Sequence, residues 1–209
     1  MNQKMKKSKK KAAKAAEAKK TSVDAKKAGG RKASAAAKQT TRVAKEEPKL
    51  YKTANDLPKQ ARVQVIQLLN ARLADAVDLH MQMKQAHWNV KGPNFIGLHE
   101  LFDKIHAATG DYVDMIAERA VQLGGVAEGT VRVAAKRTQL GEYPHDIADG
   151  PSHVNAVSIA LAAFAHEVRS SINEADDLED ADTADLFTEV SRGTDKWLWF
   201  VEAHAQAAK

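Results

Sequence analysis

The sequence predicts an all-α protein: a four-helix bundle with one long crossover between its second and third helices, preceded by a disordered basic arm. Three observations predict it. Apolar residues recur at helical spacing in four segments, no stretch shows strand alternation, and the first quarter of the 209 residues has few large apolar side chains to bury.

The arm comes first. Residues 1–49 hold 17 Lys and Arg against Glu17, Asp24, Glu46 and Glu47, a net of +13. They contain no aromatic residue, and Val23 and Val43 are their only β-branched aliphatics. Such a segment cannot bury enough apolar surface to offset the loss of chain entropy, so it is expected to be disordered. The whole chain carries +5, which leaves −8 on residues 50–209. A basic arm is thus joined to an acidic body, and two domains follow: 1–49 and 50–209.

Helical patterning begins near Asp56-Leu57-Pro58, a start signal, and continues through Val65/Ile66, Leu69, Leu73 and Ala76/Val77 to about Trp88. Lys91-Gly92-Pro93-Asn94 breaks that helix. A second runs to the Gly124-Gly125 stop, with Leu98, Phe102, Ile105, Thr109, Tyr112, Ile116 and Leu123 as its core positions. Residues 126–150 form the crossover, with room for a short helix near 129–137. Ser152 starts a third helix, whose stripe is Val154, Val157, Leu161, Phe164, Val168 and Ile172. Asp180 to Thr183 starts the fourth, with Leu186, Val190, Trp197 and Val201, capped from Asp182 or Thr183. A four-helix bundle with one long connection is the connectivity of ferritin-like folds.

Several classes are excluded or disfavoured. Cysteine is absent, which removes disulfides and thiolate metal sites and fits a reducing compartment. The first twenty residues hold no apolar signal segment, and the longest apolar run, Ala156 to Ala165, is half a bilayer span. A cytoplasmic protein with no membrane partner is expected.

The second helix carries the chemistry. His99, Asp103, Asp114 and Glu118 fall about 100° to 200° around the helix from Leu98, opposite the apolar stripe. Imidazole together with carboxylates suits iron cycling between its ferrous and ferric states. The 99/103 and 114/118 pairs lie roughly 16 Å apart along one helix, too far to share a metal in one chain. A second copy packed antiparallel about a two-fold axis would bring one pair against the other, and His87 could add a ligand. A polar stripe opposite an apolar one is equally what any surface helix shows.

Two segments then carry a resemblance. KQAHWNVKGPNFIGLHELFDKIHAATGDYVDMIAERAVQLGG, Lys84 to Gly125, and DADTADLFTEVSRGTDKWLWFVEA, Asp180 to Ala203, resemble the signature of the Dps family of mini-ferritins. The specific matches are H-W-N at 87–89, F-x-x-x-H-x-x-x-D at 95–103 and D-x-x-x-E-R at 114–119. The resemblance implies a ferroxidase site between two chains, with His87, His99 and Asp103 from one and Asp114 and Glu118 from its two-fold mate. It implies a dinuclear iron site, hydrogen peroxide as preferred oxidant, and ferric iron stored in a hollow homo-dodecamer built from two-fold dimers.

Other positions are matched less specifically. Trp88 and Trp199 match tryptophans near that site, with core packing as the other reading. Asp180, Asp182 and Asp185 match acidic residues of an iron-entry pore, or serve the helix start. Lys84 matches a position near the site but reads as an ordinary solvated lysine. His80, His106, His153, His166 and His204 match no ligand position and read as surface or helix-face histidines.

The arm completes the expectation. Clustered cations without aromatic stacking partners suit phosphate contact rather than base reading, hence sequence-nonspecific double-stranded DNA. The candidates are Lys4, Lys6, Lys7, Lys9, Lys10, Lys11, Lys14, Lys19, Lys20, Lys26, Lys27, Arg31 and Lys32. A nucleoid-associated protein that oxidises iron and compacts DNA is expected. The alternative is a nucleoid-packing protein whose iron site is vestigial.

Overall fold

The structure, a computed structural model, describes residues 49–206; the basic arm and its candidate DNA-binding cations lie outside the described residues. Among the described residues five helices appear in order: α1 Lys59–Asn89, α2 Phe95–Gln122, α3 Val131–Arg137, α4 Gly150–Asp177 and α5 Ala181–Gln206. The only strand-like pairing among the described residues is an isolated bridge between Lys91 and Asp149. No described helix is long and apolar enough to cross a membrane.

Helix α1 packs along α2, α4 along α5, and α1 against α4. Every core position expected on α2 is buried, as are Val154, Val157, Leu161, Phe164 and Val168 of α4. On α5 the expected Val190 and Val201 are buried and Phe187 joins them, while the expected Leu186 and Trp197 pack only at the edge of the core. Consecutive residues lie about 100° apart on a helix, so Leu186 sits at one border of the stripe that Phe187 occupies.

Helix α1 is buried on several sides and carries polar groups into the interior. Arg72 pairs with Asp75 at 2.9 Å and with Glu167 of α4 at 2.8 Å. Asp75 also accepts the Gln139 backbone N–H at 2.7 Å, and Asp78 accepts the Thr138 hydroxyl at 2.9 Å. These bonds pin the end of α3 to α1, so the long crossover is anchored rather than loose. Burial pushes the Asp75 carboxyl above the usual carboxylate range.

The turns follow local chemistry. Gly124 adopts φ 83° and its carbonyl accepts from Tyr51 at 2.7 Å; a Cβ there would sit 2.7 Å from the Tyr51 carbonyl. Only glycine fits that position. The fourth-helix cap is Asp180 rather than Asp182 or Thr183: its carboxylate accepts the Thr183 N–H at 3.1 Å and hydroxyl at 2.6 Å. The third helix begins at Gly150, two residues before Ser152, because Asp149 caps it by accepting from Ser152 at 2.9 Å.

Candidate metal centre

The break at Lys91–Asn94 returns the chain so that α2 runs antiparallel beside the end of α1 and sets His99 against His87. Their rings stack with centroids 3.6 Å apart and planes inclined by 21°. His87 Nδ1 bonds the His99 carbonyl oxygen at 2.7 Å, and His99 Nδ1 bonds the His87 carbonyl oxygen at 2.8 Å. A carbonyl only accepts, so each Nδ1 carries the proton. In the neutral ring this leaves Nε2 with its lone pair, the tautomer a metal needs. Phe95 lies 5.0 Å from His99 and covers one side of the pair.

Asp103 stands one turn beyond His99 and is held by Lys84 of α1 in an ion pair. Its oxygen is also 3.9 Å from His87 Nδ1. The Lys84 hydrogen bond, above all, holds the Asp103 carboxyl below the usual carboxylate range. Lys84 is therefore no ordinary solvated lysine. Its side chain is 24% exposed and its charge is directed at a candidate ligand.

Asp114 and Glu118 are exposed on the same face of α2, farther along the helix. Among the described residues, one chain gathers no three His, Asp or Glu side chains around a common point. Yet the face has an internal symmetry. Ile96 and Val121, His99 and Glu118, Asp103 and Asp114, Ala107 and Gly110 are each equidistant from a point between Ala108 and Thr109. All eight lie about 100° to 200° around the helix from Leu98. Small residues occupy the centre, ligand types flank them, and Ile96 and Val121, 61% and 55% exposed, mark the ends. Such a face is self-complementary: a two-fold axis through its centre would set 99/103 against 114/118.

The tryptophans are not packed into the core. Trp88, next to His87, and Trp199 are both 60% exposed; Trp199 meets Phe200 edge-on at 4.9 Å. With Met81, Val131 and Tyr143, Trp88 borders a groove of 520 Å³ between α1 and α3. The three aspartates part company. Asp180 is buried, caps α5 and pairs with Arg119 of α2 at 2.7 Å, whereas Asp182 and Asp185 are exposed.

Of the histidines expected at the surface or on a helix face, one is in the core and two lie on facing helix sides. His153 is fully buried against the Tyr143 hydroxyl at 2.7 Å. His80 and His106 stack against each other between α1 and α2. The signal that could have found this pair is the spacing: His80 precedes His87 by seven residues, and His106 follows His99 by seven.

Comparison with known proteins agrees with this architecture. The ferritin-like domain family matches residues 66–209. The DNA protection during starvation protein of Agrobacterium fabrum is 46% identical over 158 residues, covering 76% of this chain and 98% of that protein. The protein of the same name from Mycolicibacterium smegmatis is 34% identical over 144 residues, covering 69% of this chain and 78% of that protein. Among solved structures, DpsA14 from Streptomyces coelicolor has a TM-score of 0.72 at 33% identity, covering 78% of this chain and 95% of that one. DpsC from Streptomyces coelicolor has a TM-score of 0.74 at 30% identity, covering 80% and 98%. With family, relatives and fold in agreement, the chain belongs to the Dps family of ferritin-like proteins.

Proposed function

We propose that the protein oxidises Fe(II) with hydrogen peroxide at dinuclear sites formed between two chains, stores the ferric product in a dodecameric shell, and binds DNA through residues 1–49. The observation that carries the reading is the self-complementary face of α2. His87, His99 and Asp103 of one copy meet Asp114 and Glu118 of a second, giving two imidazoles and three carboxylates to two iron ions. Iron is here the substrate.

The chain's own groups have distinct tasks. The reciprocal hydrogen bonds hold both imidazoles as Nε2 donors, so neither ring must reorient when Fe(II) arrives. The carboxylates are hard anions and favour Fe(III) over Fe(II), which makes the iron more reducing. Two Fe(II) supply the two electrons that cleave the O–O bond of one peroxide; with two protons the products are two Fe(III) and two waters. Because both electrons are delivered at one site, hydroxyl radical is not released. That supports a protective role beside DNA, in keeping with the name of the relatives.

Asp182 and Asp185, exposed at the start of α5, are suited to draw Fe(II) toward an entry pore, with buried Asp180 fixing the helix end behind them. Trp88 and Trp199 are placed by the same reading near the oxidation site, where they can take up stray oxidising equivalents. The arm's +13 supplies phosphate contacts that the acidic body cannot. The cytoplasm and its nucleoid are where these partners meet.

The test is the double substitution His99→Gln with Asp103→Asn in the assembled protein. Iron-dependent peroxide consumption is expected to fall at least tenfold, about 1.4 kcal/mol in the barrier. Unchanged consumption by a correctly assembled variant overturns the ferroxidase reading.

A further inference from the structure

The His80–His106 pair reproduces the His87–His99 pair one heptad away. The ring centroids are 3.7 Å apart and the planes are inclined by 24°. His80 Nδ1 meets the His106 carbonyl oxygen at 2.9 Å, and His106 Nδ1 meets the His80 carbonyl oxygen at 2.8 Å. Since carbonyls cannot donate, both Nδ1 atoms carry protons, and each Nε2 is left as a donor to a cation. Neither Nε2 has a hydrogen-bond partner among the described residues. Both side chains are only partly buried, so a solvent ion can reach them.

Histidines locked in this way are unlike ordinary helix-face histidines, whose rings turn toward water. Gly110 helps make the arrangement possible, because a Cβ at that position would lie 3.3 Å from His80 Cε1. The pair offers two imidazoles of the four or more donors a divalent transition ion takes. The symmetry of α2 indicates a third. The register that sets His99 against Glu118 and Asp103 against Asp114 also sets position 106 against 111, and Asp111 is exposed.

We propose that His80 and His106, with Asp111 of a second copy, form an additional binding site for a divalent first-row transition ion such as Fe(II), Co(II) or Zn(II). This rests on the two-fold arrangement of the proposed function. The site stands about 10 Å from the His87–His99 pair, seven residues along α2 toward the two-fold axis. Two such sites, one from each copy, flank that axis. Borderline cations are the matching class, because imidazole is the dominant donor; Ca(II) and Mg(II), which want oxygen, are not.

The experiment is Co(II) titration of the full-length assembled protein, read by calorimetry and visible absorption, with particle mass checked for each variant. Wild type is expected to bind one more Co(II) per subunit than the His80→Gln/His106→Gln variant. The His99→Gln/Asp103→Asn variant should lose a different set of ions and keep the His80–His106 set. Asp111→Asn should weaken the latter set about tenfold and spare the former. Equal Co(II) uptake by wild type and by His80→Gln/His106→Gln overturns the site. If that variant loses its ion while Asp111→Asn binds as wild type does, the proposed third ligand is overturned. Failure of the ferroxidase reading would appear separately, as peroxide consumption that survives His99→Gln/Asp103→Asn. Should the double-histidine variant fail to assemble, zinc-edge anomalous density in wild-type crystals decides: a peak at His80 and His106 is expected, and none overturns the proposal.

Discussion

His87 and His99, twelve residues apart across a tight break, each bond the other's backbone carbonyl through Nδ1 with their rings stacked 3.6 Å apart. The relationship locks two helices together and fixes the tautomers of two candidate ligands with the same four atoms. It makes half of the proposed metal site rigid before any metal or second chain arrives.

Because the other half is proposed to come from a second chain, defective halves should complement. His99→Gln/Asp103→Asn and Asp114→Asn/Glu118→Gln are each expected to be inactive alone. Refolded together in equal amounts, half the dimers are mixed and each mixed dimer regains one of its two sites, so about a quarter of wild-type ferroxidase activity should return. Activity no higher in the mixture than in either variant would mean that the two halves belong to one chain.

Lys84 competes with any cation for Asp103. The pair is partly exposed, so its removal is worth at most about 1 kcal/mol, or roughly fivefold in affinity. Lys84→Met is expected to lower the half-saturating Fe(II) concentration by two- to fivefold. Stopped-flow oxidation across an Fe(II) series checks this; an unchanged or raised half-saturation point would show that the ammonium does not guard the carboxylate.

Asp180 and its neighbours should separate stability from iron entry. Asp180→Ala removes the α5 cap and the nearer carboxylate of Arg119, leaving it the Thr183 hydroxyl at 2.9 Å and Asp182 at 3.8 Å, at a cost of about 2 kcal/mol. Asp182→Asn/Asp185→Asn should leave thermal unfolding within about 0.5 kcal/mol of wild type while slowing iron oxidation at low Fe(II). Equal rates for this variant and wild type at low ionic strength would remove the entry role.

The buried His153 gives an acid-sensitive core. Burial holds its imidazole below the ordinary range, opposed by the Asp149 charge. A depressed folded-state value means that stability is fully present above the unfolded value, near 6.5, and is lost as pH falls below it. Melting temperature should therefore drop between pH 7 and 5, and His153→Phe should flatten that dependence. An equally steep slope in the variant would assign the effect to other groups.

The arm is expected to account for DNA binding. Deleting residues 1–49 removes a net +13 and should abolish the gel shift at low salt, whereas the intact protein should lose affinity steeply as salt rises. A retained shift would place the DNA contacts on the body.

Sequence by itself determined the helices, because apolar periodicity and breakers such as Gly92-Pro93 and Gly124-Gly125 are local signals. It also determined the candidate ligand set on that helix, since His99, Asp103, Asp114 and Glu118 share a face that follows from rotation per residue alone. Only the tertiary structure decided what crosses between helices. The ring stacks of His87 with His99 and His80 with His106, the Lys84–Asp103 pair, and the burial of His153 and Asp180 all depend on the register of packed elements. The pattern within one helix does not carry that register. It is set by where the Lys91–Asn94 break ends α1 and by the core on which α1 and α2 close, and so a lysine and two histidines that look solvated in sequence are drawn into contacts between α1 and α2.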